Sequence, residues 1–407
     1  MGNLKNSIHD QNLVLAAQII LKQGIGFSAK LSRNFGNVNP VSDLIGIEKS
    51  DRKYSEDQLI VFIKDLLSIH DKDSLTSVFG TGLSSVIAEF GRTQNTEMGD
   101  LVLSIAAAKN NASDCAMVYA ASWFSTVTLL QNLYDRGVPI TAPGCNNPLE
   151  EAVSKAMYDS SQTSTADLSA INWLISKKAD LNAQSPLSTA LVATISVGPK
   201  MEVLNTLLVA GANPNFKVNG HTPLQNFCDE YEMKTWGYSE RPLSASSAVT
   251  LISRMKDAGA DLNQNYLLMD MLDVKDHADA ITFAKALVSL GADVNLRDDS
   301  GDTPLIDIIK HYGMFDFRPE LIPILASLGA DMNVKNRQGK TLASLLMDTG
   351  AVGISDEAAP ILKLLHDSGT NLSDTDPTTG ENIYLKTAKR KGDNTLVIYL
   401  NSIGIVK

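Results

Sequence analysis

GADVNLRDDSGDTPL, running from Gly291 to Leu305, contains a helix end, a turn and a helix start in succession. Gly291 can take the left-handed conformation that closes a helix, and Asp293 and Asn295 suit the tight turn that follows. Asp298, Asp299, Ser300 and Gly301 form the tip of a second turn. Thr303 then caps a new helix, and Pro304 occupies its first position, where a missing N–H costs nothing. One helix ends, a finger-like turn projects, and the next helix begins.

The same punctuation recurs along the chain. The closers are at Lys178–Asn182, Gly211–Asn215, Gly259–Asn263, Gly291–Asn295, Gly329–Asn333 and Gly369–Ser373. The openers are Asn147-Pro148-Leu149, Ser185-Pro186-Leu187, Thr222-Pro223-Leu224, Thr303-Pro304-Leu305 and the reduced Thr341-Leu342. Lys178 stands in once for the glycine. The steps from Lys178 to Gly211 and from Gly259 to Gly291 are nearly equal, and the remaining steps are longer.

A period of about 33 residues in those two steps, with Thr-Pro-Leu opening a helix pair, resembles the ankyrin repeat. Opener and closer recur together in register over roughly residues 100–407, which makes the resemblance specific. It implies an all-α solenoid of helix pairs. Departures are visible. The histidine that follows Thr-Pro-Leu in the family is Gln225 or Ile306 here, and the Ala-Ala pair after it becomes Phe227-Cys228 or Ile308-Ile309. Helix packing less regular than in a consensus array is therefore expected.

Composition restricts the function. The 407-residue chain is 44% hydrophobic and 20% charged, as expected of a folded protein. A net charge of −11 argues against wrapping nucleic acid or an anionic membrane surface, because phosphate binding needs clustered Lys and Arg. Three widely separated cysteines make no disulfide framework, and a reducing compartment, cytoplasmic in the simplest case, is expected. No run approaches the ~18 apolar residues of a membrane span. Leu13–Leu21 is short and broken by Gln18, and reads as a helix, not a signal peptide. Ser7 falls one place too late for a myristoylation signal after Gly2.

Residues 1–97 lack the punctuation. They read as a helical N-terminal region or cap, with helices over Asp10–Gln23, Ser55–His70 and Ser74–Phe90. Polar Gly91–Gly99 is the expected boundary, and 98–407 the expected array of about eight divergent repeats. In the array, Leu101–Asn110, Ala112–Ala121 and Ser125–Arg136 are followed by seven helix pairs. These are Pro148–Met157 with Ala166–Lys177, Pro186–Ile195 with Met201–Ala210, Pro223–Tyr231 with Ala245–Ala258, and Leu267–Leu272 with Ala278–Leu290. Pro304–His311 with Arg318–Leu328, Leu342–Met347 with Asp356–Asp367, and Glu381–Lys391 with Thr395–Ile403 complete them.

Motifs with catalytic potential fail on context. Gly80–Ser85 starts like a dinucleotide fingerprint but lacks the third glycine and a preceding strand. Gly237–Arg241 lacks the second glycine of a nucleophile elbow. Asp374–Gly380 superficially suggests a calcium loop, with its Gly one place late and Pro377 in the turn; it falls where a finger is expected. Cys228 sits at a small-residue position inside a helix, and His221 precedes that helix, so a Cys–His nucleophile pair is not indicated. No histidine falls at metal-ligand spacing. The basic run Lys386, Lys389, Arg390 and Lys391 closes a helix, where positive charge suits the dipole. No catalytic, cofactor-binding or metal-binding residue is assigned.

Insertions are more informative. The step from Gly211 to Gly259 is nearly half as long again as one unit, and its surplus falls between the two helices of one repeat, at Glu230–Ser244. That insert contains Tyr231, Trp236, Tyr238 and Arg241. The step from Gly291 to Gly329 puts a smaller surplus at the equivalent place, near Tyr312, Phe315, Phe317 and Arg318. In a chain only 6% aromatic, both loops are enriched in the residue types that dominate binding hot spots. One expectation is a partly exposed partner-binding patch, with Trp236, Tyr238, Phe315 and Phe317 at its centre and Arg241 and Arg318 at its rim. The alternative is that the rings fold back over their own helices.

The resemblance implies a non-enzymatic protein–protein interaction scaffold with a protein partner. Divergent repeats joined to an unrelated N-terminus also resemble ankyrin proteins that intracellular bacteria deliver into a host cytoplasm. An alternative is a small enzymatic or toxin-type module in residues 1–97, using groups such as Asp65, His70, Asp71, Asp73 and Glu89.

Overall fold

The computed structural model describes residues 118, 127–135, 137–141, 144–158, 166–236, 243–312, 317–349 and 358–406. The N-terminal region, its boundary at Gly91–Gly99 and the helices expected over Leu101–Asn110 and most of Ala112–Ala121 lie outside them. The chain divides into two compact units, one ending in Ala190 and resuming over Lys200–Ala212, the other formed by Leu191–Pro199 and residues from Asn213 onward.

In the first unit, α1 (Val127–Asp135), α2 (Pro148–Tyr158), α3 (Ser169–Ser176), the first turns of α4 (Pro186–Val197), and α5 (Met201–Ala210) follow in order. α2 packs against α3 and α5, and α1 against α3. Asn147 ties the unit together. Its Oδ1 accepts the Leu149 N–H at 3.1 Å to start α2, while its Nδ2 donates to the carbonyls of Asp180 and Ala183 at 2.7 and 2.8 Å. Trp173 donates its indole N–H to Gln131 at 2.9 Å and meets Tyr134 edge-on, with the Lys177 ammonium 4.5 Å from the Tyr134 ring centre.

Among its described residues the second unit contains five helix pairs. They are α6 (Pro223–Trp236) with α7 (Ala245–Asp257), α8 (Leu267–Leu272) with α9 (His277–Ser289), α10 (Pro304–Lys310) with α11 (Leu321–Ser327), α12 (Leu342–Thr349) with α13 (Ala358–Asp367), and α14 (Ile383–Lys391) with α15 (Asn394–Ser402). First helices touch first helices from α6 through α14, and second helices touch second helices from α7 through α15. The result is two parallel rows with a continuous core between them. Phe227, Cys228, Tyr231, Phe283, Leu325, Leu346 and Leu400 are fully buried in it.

The sequence punctuation accounts for this order residue by residue. Hydroxyls of Thr222, Thr303 and Thr341 accept N–H groups three residues on, from Gln225, Ile306 and Ser344, as helix caps. Each of the closers ending at Asn215, Asn263, Asn295 and Asn333 then does two tasks. Its Asp or Asn forms a local turn: Asp261, Asp293 and Asp331 accept the N–H of Asn263, Asn295 and Asn333 at 2.8–2.9 Å. Its final Asn reaches the next repeat. Asn295 donates to the Gly329 carbonyl at 3.0 Å and accepts the Asp331 N–H at 2.7 Å; Asn215 and Asn333 bond Gly259, Asp261, Gly369 and Asn371 in the same way. Asn263 supplies the acceptor half of that contact, to the Asp293 N–H. The asparagines thus form a ladder along one edge.

Gly291 has φ +100°, the left-handed helix end expected of it, and Lys178 carries the same duty at φ +62° without being glycine. Finger turns close through bridges between Val218 and His221, Lys335 and Thr341, and Thr375 and Asn382. The repeat whose first helix starts at Leu267 has neither the Thr cap nor the Pro and substitutes a 3-10 turn at Gln264–Tyr266, with Tyr266 left-handed and its hydroxyl donating to Asp299 at 2.7 Å. Among the described residues the fold is all-α, with ankyrin-type helix pairs and projecting turns, as the resemblance implied.

Three details differ from expectation. α6 runs on to Trp236, so part of the insert continues the helix. α11 starts at Leu321, not Arg318, because Arg318 and Pro319 lie in the turn that carries Arg318 back toward α8. Cys145 is disulfide-bonded while Cys228 is free and buried, which removes the support that unpaired cysteines gave to a reducing compartment.

Candidate functional site

Of the rejected motifs, Gly80–Ser85 and Gly237–Arg241 lie outside the described residues, and the others have structural roles. Cys228 is fully buried, and burial, with the charges of Asp270, Asp229 and Glu232, pushes its thiol well above the usual range; a thiolate nucleophile is disfavoured there. Asp374–Gly380 is a finger hairpin, closed by Gly380 donating to the Asp376 carbonyl at 2.8 Å. In it Asp376 bonds Lys386 at 2.6 Å and the N–H groups of Thr378 and Thr379, which together hold its carboxyl down at about 2.

The aromatic positions divide. Tyr231 is a core residue, edge-on to Phe283 with ring centres 5.4 Å apart, so its expected contact role is corrected: one helical turn beyond Phe227, it shares that residue's inward face. Tyr312 is also buried and meets Phe317 edge-on at 5.3 Å, with Phe317 half-buried. This pair folds back over its own helices. Arg318 is 4% exposed and not a rim residue. Its guanidinium donates to the Leu272 carbonyl, and to the Asp273 carbonyl at 3.3 Å, at the end of α8. Cationic donors satisfy the last carbonyls of a helix and oppose its negative end. Trp236 closes α6; Tyr238, Arg241 and Phe315 lie outside the described residues.

The structure brings together a different set, on the first helices of three successive repeats. Gln225 on α6 donates both amide hydrogens to carboxylates, Asp229 on its own helix and Asp270 on α8, each at 2.8 Å. His221 Nδ1 lies 3.0 Å from the other Asp229 oxygen. Glu232 extends the acidic run on α6, Asp273 follows α8, and Asp307 continues it on α10.

The electrostatic consequence is direct. Burial raises the Asp270 carboxyl to about 6; the Gln225 bond opposes this, and the charges of Asp229 and Asp273 add to it. Glu232 is likewise raised to about 6, by burial and then by Asp273, Asp270 and Asp229, against the pull of Arg318. Asp307 is raised too, chiefly by burial. Beside these groups, Met269, Leu272, Ile308 and Leu321 line a small cleft together with Asp273, Asp307, His311 and Arg318.

Two polar atoms here find no hydrogen-bond partner among the described residues: Gln225 Oε1 and Arg318 Nε. Both belong to side chains more than nine-tenths buried. Sequence reasoning missed this set, although one signal was present. Gln225 stands where the family has histidine, and the Asp229 and Glu232 pair recurs as Asp270 and Asp273, both members displaced by the same step along the chain.

No family model matches the sequence, and no curated protein matches it. Among solved structures the chain is similar to the human ASB11 ankyrin repeat domain, at 18% identity over 63% of this chain and 98% of that one, with a TM-score of 0.39. Among the described residues no helix is long and apolar enough to cross a membrane.

Proposed function

We propose that this chain is a non-enzymatic scaffold that recognises a protein partner through the first-helix row of its second unit. The observation that carries this reading is the set of Gln225, Asp229, Glu232, Asp270, Asp273 and Asp307, contributed by three adjacent helices to one face. Stacked repeats build extended surfaces of this kind, on which each unit adds a few contact residues. Trp236, Tyr238, Arg241 and Phe315, from the inserts, are proposed as further contact residues. The family resemblance further suggests a bacterial protein delivered into a host cytoplasm, and residues 1–97 as a helical cap on the array. A cap predicts that removing residues 1–90 lowers solubility.

Site-specific photo-crosslinking tests the main reading. A crosslinker at Met233, 69% exposed on α6, should capture a discrete partner from host lysate; one at Ile398, 69% exposed on the second-row helix α15, should not. Equal capture from both positions, or none from Met233, overturns the assignment of the face.

A further inference from the structure

The open hydrogen-bonding capacity of this face specifies what can fill it. Asp229 and Asp270 are already bridged by the nitrogen of one neutral amide, and that amide's own oxygen, which is buried, lacks a donor. An added cationic donor would serve the carboxylates, which one neutral amide leaves short of donors. Charge-assisted bonds of this type are about twice as strong as neutral ones. A bare metal ion fits poorly, because among the described residues no three His, Cys, Asp or Glu side chains converge to hold one.

Arg318 supplies the complementary requirement. Its two terminal nitrogens are committed to the end of α8, and its Nε, in the wall of the adjoining cleft, lacks an acceptor. A ligand for this face therefore brings strong donors to α6 and α8 and an acceptor to Arg318. A peptide does both, with a Lys or Arg side chain as donor and a backbone carbonyl as acceptor.

We infer that the face formed by α6, α8 and α10 binds an exposed Lys- or Arg-bearing segment of the partner protein. This rests on the scaffold reading and narrows it to a basic partner surface. Net negative charge of the whole chain, −11, would steer such a partner toward it.

The probe is a fluorescein-labelled peptide of alternating lysine and serine, titrated against the full chain by anisotropy at low and physiological salt. It should bind at least about tenfold more tightly than a glycine–serine peptide, and binding should weaken as salt rises. Replacing Asp229→Asn and Asp270→Asn together should remove about that tenfold preference. Hydrogen exchange on the unaltered chain gives a readout that no folding defect can confuse: the lysine peptide should protect α6 and α8. Equal affinity for both peptides, unchanged binding by the double variant, or protection confined to other helices overturns the inference. If it fails while Met233 still crosslinks a partner, the scaffold reading stands and only the basic segment falls.

Discussion

At the scale of single residues, burial and backbone conformation assign roles that position in the sequence leaves open. Tyr231 and Trp236 fall in one insert by sequence, yet Tyr231 is 0% exposed and packs on Phe227 and Phe283. Tyr231→Ala should therefore lower stability by about 3–5 kcal/mol, the cost of emptying a core aromatic site, whatever it does to binding. Urea unfolding measures this. A loss under about 1 kcal/mol would return Tyr231 to the contact surface. Lys178 presents the opposite case. It holds φ +62° where every other closer in the array has glycine. A left-handed residue with a Cβ is strained by roughly 1–2 kcal/mol, part of which glycine returns as unfolded-state entropy. Lys178→Gly should thus stabilise the chain by about 0.5–1 kcal/mol. A thermal melt with an unchanged or lower midpoint would show that the Lys178 side chain contributes more than its backbone costs.

At the scale of elements, α6 and α8 carry opposing demands, since the face that gathers Asp229, Glu232, Asp270 and Asp273 gathers their repulsion too. Asp270 and Glu232 ionise near 6 in the folded chain, against ordinary values of 3.8 and 4.5. Between those limits the folded state holds protons that the unfolded state has released, so acidification favours folding. Stability should fall as pH rises from about 4 to about 6, with the full penalty present above that window. Asp376, held at about 2, acts in the opposite sense but only below the ordinary value of 3.8. Urea midpoints at a series of pH values should show the fall, and Asp270→Asn should flatten it. A midpoint that rises through the window in the parent chain would contradict the clustering of these carboxylates.

These elements also show how far the sequence could be read. Helix starts and ends followed from Thr-Pro-Leu and Gly-Ala-Asp because caps and left-handed turns are local chemistry, decided by a few neighbouring residues. The asparagine ladder and the Gln225 bridge were not legible, since each joins residues in different repeats. Arg318 was misplaced for the same reason: its position follows from the carbonyls of Leu272 and Asp273, which no pattern around Arg318 announces.

At the scale of the molecule, stability in a stacked array is approximately the sum of repeat terms and nearest-neighbour interfaces. Asn333 is well placed to separate the two. It donates to the Gly369 carbonyl at 3.4 Å and accepts the Asn371 N–H at 2.7 Å, joining the closer after α11 to the closer after α13. Its side chain caps nothing within its own repeat, so Asn333→Ala weakens one interface and leaves the helices on either side intact. The loss should be about 1 kcal/mol, since both bonds are exposed and water replaces part of each. Its distribution is the informative part. Under nearest-neighbour coupling α12 to α15 would open ahead of α6 to α11, because the one interface that joins them to the array, α10 on α12 and α11 on α13 with the asparagine contact, would be the weakened one. Native-state hydrogen exchange would record this as faster exchange confined to α12–α15, with α8–α10 unchanged. A uniform increase from α6 to α15 would mean that the second unit opens as one cooperative block, and that the ladder stabilises it as a whole and not interface by interface.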